Sequence, residues 1–253
     1  GQNQGTAGID INYLPAREIT QGSSDIIVAV LDHGTQLDHP DLNVSSKSYD
    51  TETGRSPSQI WGNHGTACSG IISAKTNNNL GVAGIAPNCP VMSISNQLMG
   101  TADAPQKRAD GFNWAWRNGA SVISNSWRSS TFSELLEDAI QSAMTNGRNG
   151  LGCVVTFSAG NYNSSTVGYP ARSLPDIVVV GALSLSGKRK TPTTIDNENW
   201  WGSDYGTQLD IMAPGVLIYT TDRTGSVGYV SGDYMPNFNG TSSACPHVAG
   251  VAA

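Results

Sequence analysis

Charge of either sign is scarce in this sequence, and there is no excess of basic residues. The 253 residues include 14 Lys and Arg against 20 Asp and Glu, and this charged fraction of 13% lies well below the roughly 25% of an average soluble domain. The net charge of −6 excludes the basic surface that nucleic acids and anionic membranes attract. No apolar run approaches the ~18 residues of a membrane span. We therefore predict a protein that binds neither nucleic acid nor membrane.

Cysteine is also sparse. Four cysteines in a chain of this length are too few for a disulfide scaffold, and their scattered spacing matches no CxxC metal pattern. Zinc is not expected, and buried free thiols are favoured over pairing. The four are Cys68, Cys89, Cys153 and Cys245. Gly1 starts no signal-peptide pattern, so we expect any signal peptide or pro-segment to lie outside these residues.

What is present is an alternation of short apolar runs and helical patterns. Residues 25–32 form a β-branched run without polar alternation, which is typical of a strand buried on both faces. Strands that alternate with helices predict an α/β fold with a doubly wound, mostly parallel sheet. Active sites in such sheets lie at the carboxyl ends of the strands. The other apolar runs are 91–94, 121–126, 153–158 and 176–183, and the helical patterns are 64–75, 104–118 and 133–146.

Two local predictions concern the segments around these runs. Thr131 and Glu134 have the spacing of a capping box before the third helical pattern, and Gly147 marks its end. Residues 191–230 lose the alternation, which predicts surface loops of the same domain.

Three candidate catalytic side chains stand at predicted strand ends or helix starts. Asp32 ends the first strand, His64 begins the first helical pattern, and Ser242 precedes an apolar helical pattern. A hydroxyl nucleophile, an imidazole base and a carboxylate that orients the base are the parts of nucleophilic acyl transfer. Their chain order, Asp, His, Ser, differs from those of chymotrypsin and of the α/β-hydrolases, and the latter also need G-x-S-x-G, which Ala244 breaks.

Six ordered segments resemble blocks of the subtilisin-like serine proteases. In one-letter code they are DHG at 32–34, HGTACSG at 64–70, SAGN at 158–161, SSTVGYP at 164–170, MAPG at 212–215 and NGTSSACPHVAG at 239–250. The resemblance implies a three-layer, doubly wound, mostly parallel sheet, with residues 1–253 in one subtilisin-like catalytic domain. Because the family continues the helix after Ser242, it also implies that this domain is incomplete at its C-terminal end.

Carried over by position, the resemblance implies a serine endopeptidase that works through an acyl-enzyme. Ser242 becomes the nucleophile, His64 the base and Asp32 the orienting carboxylate. Asn161, just after the run 153–158, presents a neutral amide where an oxyanion forms, so it stabilises the developing charge without lowering the basicity of His64. Its partner in the oxyanion hole is the Ser242 backbone N–H. Cys68, four residues after His64, lies on the same helix face, as in the proteinase-K-like branch.

The resemblance also implies where a substrate binds. A peptide adds as a strand along exposed edges, with Ser126 and Trp127 on one side and residues 98–102 on the other. Gly168 forms the floor of the pocket for the residue before the scissile bond. Since Gly168 has neither a side chain nor a carboxylate, this pocket predicts a preference for large apolar residues. Arg128 stands where subtilisins usually have Gly, and its charge opposes a basic substrate.

A structural calcium ion is the cofactor that the resemblance implies. Two segments are similar to the halves of the family's high-affinity site, and together they offer a carboxylate, an amide oxygen and alternate carbonyls, which suit a hard cation. Gln2 or Gln4 would add a further ligand. The implied ligands are Asp41, Thr76, Asn78, Leu80 and Val82.

Alternatives stay open. Residues 124–127, SNSW, are also similar to the kexin-like convertases of narrow specificity, although Arg128 replaces the Gly-Pro that follows in those enzymes. Two further alternative functions are a catalytically silent subtilisin-like binding module and an esterase. The scarcity of charge and the resemblance together predict a secreted monomer that acts on polypeptides, with its own pro-segment as folding aid or inhibitor.

Overall fold

Buried β-branched runs form the centre of the molecule. The computed structural model describes residues 6–253, and within them the first predicted run becomes a six-residue strand that ends at Asp32. In chain order the strands are β1 (Ile27–Asp32), β2 (Tyr49–Asp50), β3 (Val91–Ser95), β4 (Ala120–Asn125), β5 (Val154–Ser158), β6 (Val178–Leu183), β7 (Ile211–Pro214), β8 (Ile218–Thr221) and β9 (Tyr234–Phe238).

Seven of these strands make one parallel sheet in the order β2-β3-β1-β4-β5-β6-β7, and β8 pairs antiparallel with β9. β3 and β4 lie on opposite sides of β1. The chain therefore places β3 on one side of β1 and the next strand, β4, on the other side. This reversal of strand order creates a crevice at the carboxyl end of β1, where Asp32 lies.

Helices cover both faces of the sheet. α3 and α4 pack against each other and against one face, whereas α2 and α5 pack together against the other. The predicted three-layer α/β fold is thus confirmed. The helices are α1 (Tyr13–Ile19), α2 (His64–Ser73), α3 (Ala104–Arg117), α4 (Glu134–Gly150) and α5 (Thr241–Ala252).

An apolar core lies on each face of the sheet, and the side chains of β1 are divided between these two cores. Ala29 and Leu31 lie in the core under α3 and α4, while Val28 and Val30 lie in the core under α2. Alternate residues of a strand point to opposite faces, so a strand between two helical layers must be apolar throughout. This accounts for the unbroken apolar run in residues 25–32.

The N-terminal cap of α4 differs from the prediction. Ser133, not Thr131, is the cap, and its Oγ accepts a hydrogen bond of 3.3 Å from the backbone N–H of Leu136. The capping box that Thr131 and Glu134 predicted was therefore wrong by two residues. Gly147 leaves helical geometry with a ψ of 160°, as predicted for the end of the regular helix.

The prediction of surface loops over residues 191–230 is wrong in part. The segment contributes β7 and β8, and its loop before β7 turns several side chains inward around the buried ammonium group of Lys190. Asp196, Glu198 and Trp201 are each at most 6% exposed. Turn-forming residues mark a loop, but they do not reveal that its charged side chains turn inward.

The four cysteines are all buried and unpaired, as predicted. Along the described part of the chain, we find no helix whose length and apolar character would let it cross a membrane.

Candidate active site

Asp32 and His64 meet at the carboxyl edge of the sheet. Asp32 ends β1 and is fully buried, and His64 is the first residue of α2. The Nδ1 atom of His64 lies 2.9 Å from each carboxylate oxygen of Asp32. Because a carboxylate only accepts, Nδ1 carries the hydrogen and Nε2 is left with its lone pair. The backbone N–H of His33 also donates to Asp32, at 2.7 Å.

The surroundings of His64 are aromatic and nearly closed. Its side chain is 19% exposed, and the rings of Phe238 and His33 meet it edge-on with centroids 5.3 and 6.1 Å away. Burial lowers the pKa of His64, but the charge of Asp32 and the hydrogen bond to it outweigh burial, so the pKa lies well above its usual value. The His33 ring therefore lies edge-on beside the imidazole of His64.

Ser242 lies in the first turn of α5, on the far side of a buried thiol from Asp32. The Sγ atom of Cys68 is 3.7 Å from His64 Nδ1, 4.0 Å from Asp32 Oδ2 and 3.6 Å from the carbonyl oxygen of Ser242. The hydroxyl of Ser242 donates to the carbonyl oxygen of Ser126 at 3.2 Å. Three distant segments thus converge around Cys68, although the Ser242 hydroxyl is not hydrogen bonded to His64 here.

The turn before Ser242 requires glycine. Gly240 has a φ of 99°, and a Cβ atom there would lie 3.1 Å from the amide nitrogen of Asn161. L-amino acids rarely adopt this backbone conformation. A side chain at Gly240 would also crowd the amide that faces the start of α5.

Asn161 is held by a residue that the sequence did not indicate. Its side-chain oxygen accepts hydrogen bonds of 2.8 Å from both the backbone N–H and the hydroxyl of Thr241. The same hydroxyl accepts from the backbone N–H of Gly160 at 3.1 Å. With its oxygen engaged in this way, Asn161 keeps its NH₂ group as the free donor next to Ser242. The signal for Thr241 was its place directly before the nucleophile candidate.

Ser126 and Trp127 occupy the edge beyond β4 in different ways. The hydroxyl of Ser126 donates to the carbonyl oxygen of Ser242 at 2.9 Å. The Trp127 indole points into the core, where its N–H donates to the carbonyl oxygen of Leu31 at 2.9 Å. The Trp127 side chain is thus part of the core. The guanidinium of Arg108 lies 4.9 Å from the indole ring and covers it.

Gly168 lies opposite this edge, and its backbone N–H donates to the carbonyl oxygen of Ala159 at 2.8 Å. The side chain of Arg128 passes directly over Gly168. The stem of Arg128 therefore occupies the space next to Gly168 that a side chain at this position would need.

The residues that the sequence assigned to calcium surround a buried carboxylate. Asp41 is fully buried, and it accepts hydrogen bonds from the Asn78 amide at 2.6 Å and from the Val82 backbone N–H at 3.1 Å. Asn78 therefore turns its nitrogen toward Asp41, and its oxygen accepts from the backbone N–H of Leu80 at 3.2 Å. Thr76 lies in the same loop, which follows α2. Gln2 and Gln4 lie outside the described residues.

This donor set fits a hard cation. Within residues 6–253, no Lys, Arg or His forms an ion pair with Asp41, and a buried carboxylate without a cation is costly. Burial, and then the charge of Asp41, raise the pKa of Tyr234 to about 12. A divalent cation held by Asp41, an Asn78 amide turned over and the loop carbonyls would compensate that charge.

Comparisons with known proteins bear on the family and on the fold of this chain. A family model described as the subtilase family matches residues 23–253. A calcium-dependent protease of Trichormus variabilis is 34% identical over 98% of this chain and 41% of its own length. Subtilisin E of Bacillus subtilis is 36% identical over 91% of this chain and 55% of its own length. The chain thus spans about half, or less, of the length of these curated relatives.

A solved protease structure from Pseudoalteromonas arctica superposes with a TM-score of 0.76 at 27% identity, over 95% of this chain and 79% of that one. The solved structure agrees with the α/β fold, and the family model and the relatives agree on the family. The chain belongs to the subtilase family.

Proposed function

We propose that this chain is the catalytic part of a serine endopeptidase, with Ser242 as nucleophile, His64 as base and Asp32 as the carboxylate that orients it. The observation that carries the proposal is the pair of 2.9 Å contacts between His64 Nδ1 and the buried carboxylate of Asp32. This contact leaves His64 Nε2 free to take a proton, within a site where Ser242 lies beside the same thiol.

The acyl-transfer steps use these groups in turn. The Ser242 hydroxyl leaves the Ser126 carbonyl by rotation about its Cα–Cβ bond and attacks the carbonyl carbon of a peptide, while its proton passes to His64 Nε2. The C–N bond then breaks, and the same proton goes to the leaving amine. Water repeats the sequence on the acyl-enzyme, which releases the carboxylic acid and restores Ser242.

Asn161 and the backbone N–H of Ser242 are the proposed oxyanion hole. The negative charge that develops on the peptide oxygen is stabilised by neutral donors that are already oriented. Thr241 supports this role because it engages the Asn161 oxygen from two directions. The amide therefore needs no reorganisation when the charge appears.

The substrates proposed are polypeptides, bound as an added strand against the backbone of Ser126 and Trp127. A glycine at position 168 by itself favours a large apolar residue before the scissile bond, but the Arg128 side chain lies over Gly168 and restricts that space. The names and family of the relatives support proteolysis, and we extend the proposal to a secreted monomer that folds with its own pro-segment.

The test is the pH dependence of labelling by a fluorophosphonate. A base must be neutral to accept a proton, and the pKa of His64 is raised. Labelling of Ser242 is therefore expected to be slow at low pH and to rise with a midpoint above 6.5, measured by mass spectrometry of the labelled peptide. Absence of labelling under all conditions would favour a silent binding module.

Casein and short esters separate the remaining alternatives. Labelling together with hydrolysis of casein supports the endopeptidase. Turnover of short esters without casein cleavage would point to an esterase. Cleavage confined to bonds after basic pairs would point to a kexin-like enzyme.

Calcium is the proposed structural cofactor, since the donor set around Asp41 fits it and two relatives are named calcium-dependent proteases. The ion would crosslink the loop after α2 to the segment that holds Asp41, and it takes no part in proton transfer. An ion present at 1,000 times its Kd stabilises the folded state by about 4 kcal/mol.

Removal of calcium by EDTA is therefore expected to lower the melting temperature by about 10 °C. Differential scanning calorimetry of the Ser242→Ala variant measures this without autolysis. Asp41→Asn should abolish the difference between calcium and EDTA, whereas the exposed Asp38→Asn, three residues earlier, should keep it. Equal melting temperatures with and without EDTA in the parent chain would contradict the proposal.

A further inference from the structure

A cavity of about 710 Å³ opens next to the proposed active site. Residues 128–130 form one wall, and residues 162–169 supply the opposite wall and the floor. The cavity lies close to the reacting groups, because Ser126 accepts the Ser242 hydroxyl and Tyr162 directly follows Asn161. A side chain that precedes the scissile bond would therefore reach this cavity.

The Arg128 side chain spans the cavity. A Cβ atom built on Gly168 would lie 3.2 Å from Cβ and 3.4 Å from Cδ of Arg128. At its far end, the guanidinium carbon lies 3.8 Å from the centroid of the Tyr162 ring. The side chain thus starts on one wall, crosses above Gly168 and stacks on the opposite wall.

The guanidinium group stacks on Tyr162. Burial raises the pKa of Asp204, and the positive charge of Arg128 acts to lower it, although the two form no ion pair within residues 6–253. Throughout residues 6–253, its N–H groups meet no hydrogen-bond acceptor, and Arg128 belongs to none of the ion pairs. Asp204 is near, but it is buried and already accepts the backbone N–H groups of Tyr162 and Ser164, each at 2.8 Å. Arg172 and Glu137 also line the cavity.

We propose that Arg128 is a specificity-determining residue that selects an acidic side chain before the scissile bond and disfavours large apolar and basic ones. This inference rests on the proposed endopeptidase function. A stacked guanidinium keeps its edge free, and that edge matches the two oxygens of a carboxylate. An aromatic side chain, by contrast, must displace the stem from Gly168 and break the stack on Tyr162.

A charge pair and a cation–aromatic stack set the expected changes in kcat/KM. A hydrogen-bonded charge pair in a partly buried pocket favours Glu over its neutral isostere Gln by about tenfold. Breaking an exposed stack of a cation on an aromatic ring costs about two- to fivefold. These factors apply to kcat/KM, since the contact with a substrate carboxylate forms, and the stack on Tyr162 is broken by an aromatic side chain, only when substrate binds.

The experiment measures kcat/KM for four peptides that differ only in the residue before the scissile bond, which is Glu, Gln, Phe or Lys. For the parent chain we expect Glu to exceed Gln by about tenfold, with Lys the poorest. Arg128→Gly should reduce the Glu to Gln ratio to near one and raise cleavage after Phe by about two- to fivefold. Arg128→Lys should keep part of the Glu preference but also admit Phe.

Arg117→Ala is the matched control, because Arg117 is an exposed arginine whose guanidinium carbon lies 5.1 Å from the centroid of the Trp116 ring, and it does not line this cavity. It should leave all four values nearly unchanged. High salt should weaken the Glu preference of the parent chain and leave Arg128→Gly unaffected.

Fluorophosphonate labelling of every variant separates this inference from the proposed function. A labelled, active chain whose Glu to Gln ratio is near one, or is unchanged in Arg128→Gly, overturns the role of Arg128 alone. A chain that labels nowhere and cleaves no peptide overturns both.

Discussion

Replacement of Ser242 by Ala is expected to lower kcat for peptide hydrolysis by about 10⁴- to 10⁶-fold. The upper value is the one known for subtilisin itself, a member of the same family. Without the hydroxyl, no acyl-enzyme can form, and His64 has no nucleophile to deprotonate. The remaining rate would come from Asn161 and from substrate binding, which this substitution leaves in place. Initial rates on casein and a burst titration of the acyl-enzyme measure the loss.

Ser243→Ala is the control for this substitution. Ser243 is the next residue of α5, and its buried hydroxyl donates to the carbonyl oxygen of Gly240 at 2.9 Å. The change should leave kcat within about twofold, because a neutral hydrogen bond away from the reacting groups contributes about 1 kcal/mol to stability. If Ser242→Ala retained the parent rate and its burst, the assignment of the nucleophile would fail.

The positions of Asp32, His64 and Ser242 were predictable because each stands at a boundary that short sequence patterns mark. An unbroken apolar run shows where β1 ends, and parallel strands bring their carboxyl ends to one edge. The order of the three residues in the chain then distinguishes this arrangement from other hydrolases. The proximity of Asp32 and His64 in the structure agrees with that reasoning.

Contacts between distant loops were not predictable in the same way. The resemblance to the subtilisins places Arg128 where they usually have Gly, but it does not show that the Arg128 stem crosses Gly168 and ends on Tyr162. Those contacts form only after separate segments of the chain are positioned. The loop around Lys190 is a second case. The loss of strand and helix alternation there predicts a surface loop, whereas the inward direction of Asp196 and Glu198 depends on the Lys190 ammonium, which precedes that segment.

Polar contacts with the buried Lys190 ammonium hold this loop together. Its Nζ atom donates to the backbone carbonyls of Thr191 and Trp201 at 2.8 and 3.3 Å, and also to that of Glu198. The carboxylate of Asp196 lies 3.3 Å away. Three backbone carbonyl oxygens and one carboxylate of the loop thus surround the Lys190 ammonium.

The loop also supports the active site. Burial raises the pKa of Glu198, whose side chain accepts from the indole N–H of Trp201 at 2.6 Å and from the Asn239 amide at 3.3 Å. Asn239 immediately precedes Gly240 and the turn that leads to Ser242. Loss of the ammonium is therefore expected to loosen the segment that presents the nucleophile.

Lys190→Met is expected to reduce the free energy of unfolding by about 3–5 kcal/mol. Methionine fills a similar volume, but it leaves the buried Asp196 carboxylate without its cation and three backbone carbonyls without a donor. In a domain of this size, the loss corresponds to a fall of about 10 °C in melting temperature. Calorimetry in the Ser242→Ala background, with calcium present, measures it.

Two further variants distinguish a lost charge pair from lost packing. Lys188→Met changes an exposed lysine two residues earlier and should shift the melting temperature by less than about 2 °C. Asp196→Leu added to Lys190→Met should restore part of the stability, because a buried ion pair replaced by apolar groups is often close to neutral. A Lys190→Met chain as stable as its parent would show that the loop is held without the ammonium. A double variant less stable than Lys190→Met would show that Asp196 stabilises the loop through its hydrogen bonds with Thr194 and Glu198, independently of Lys190.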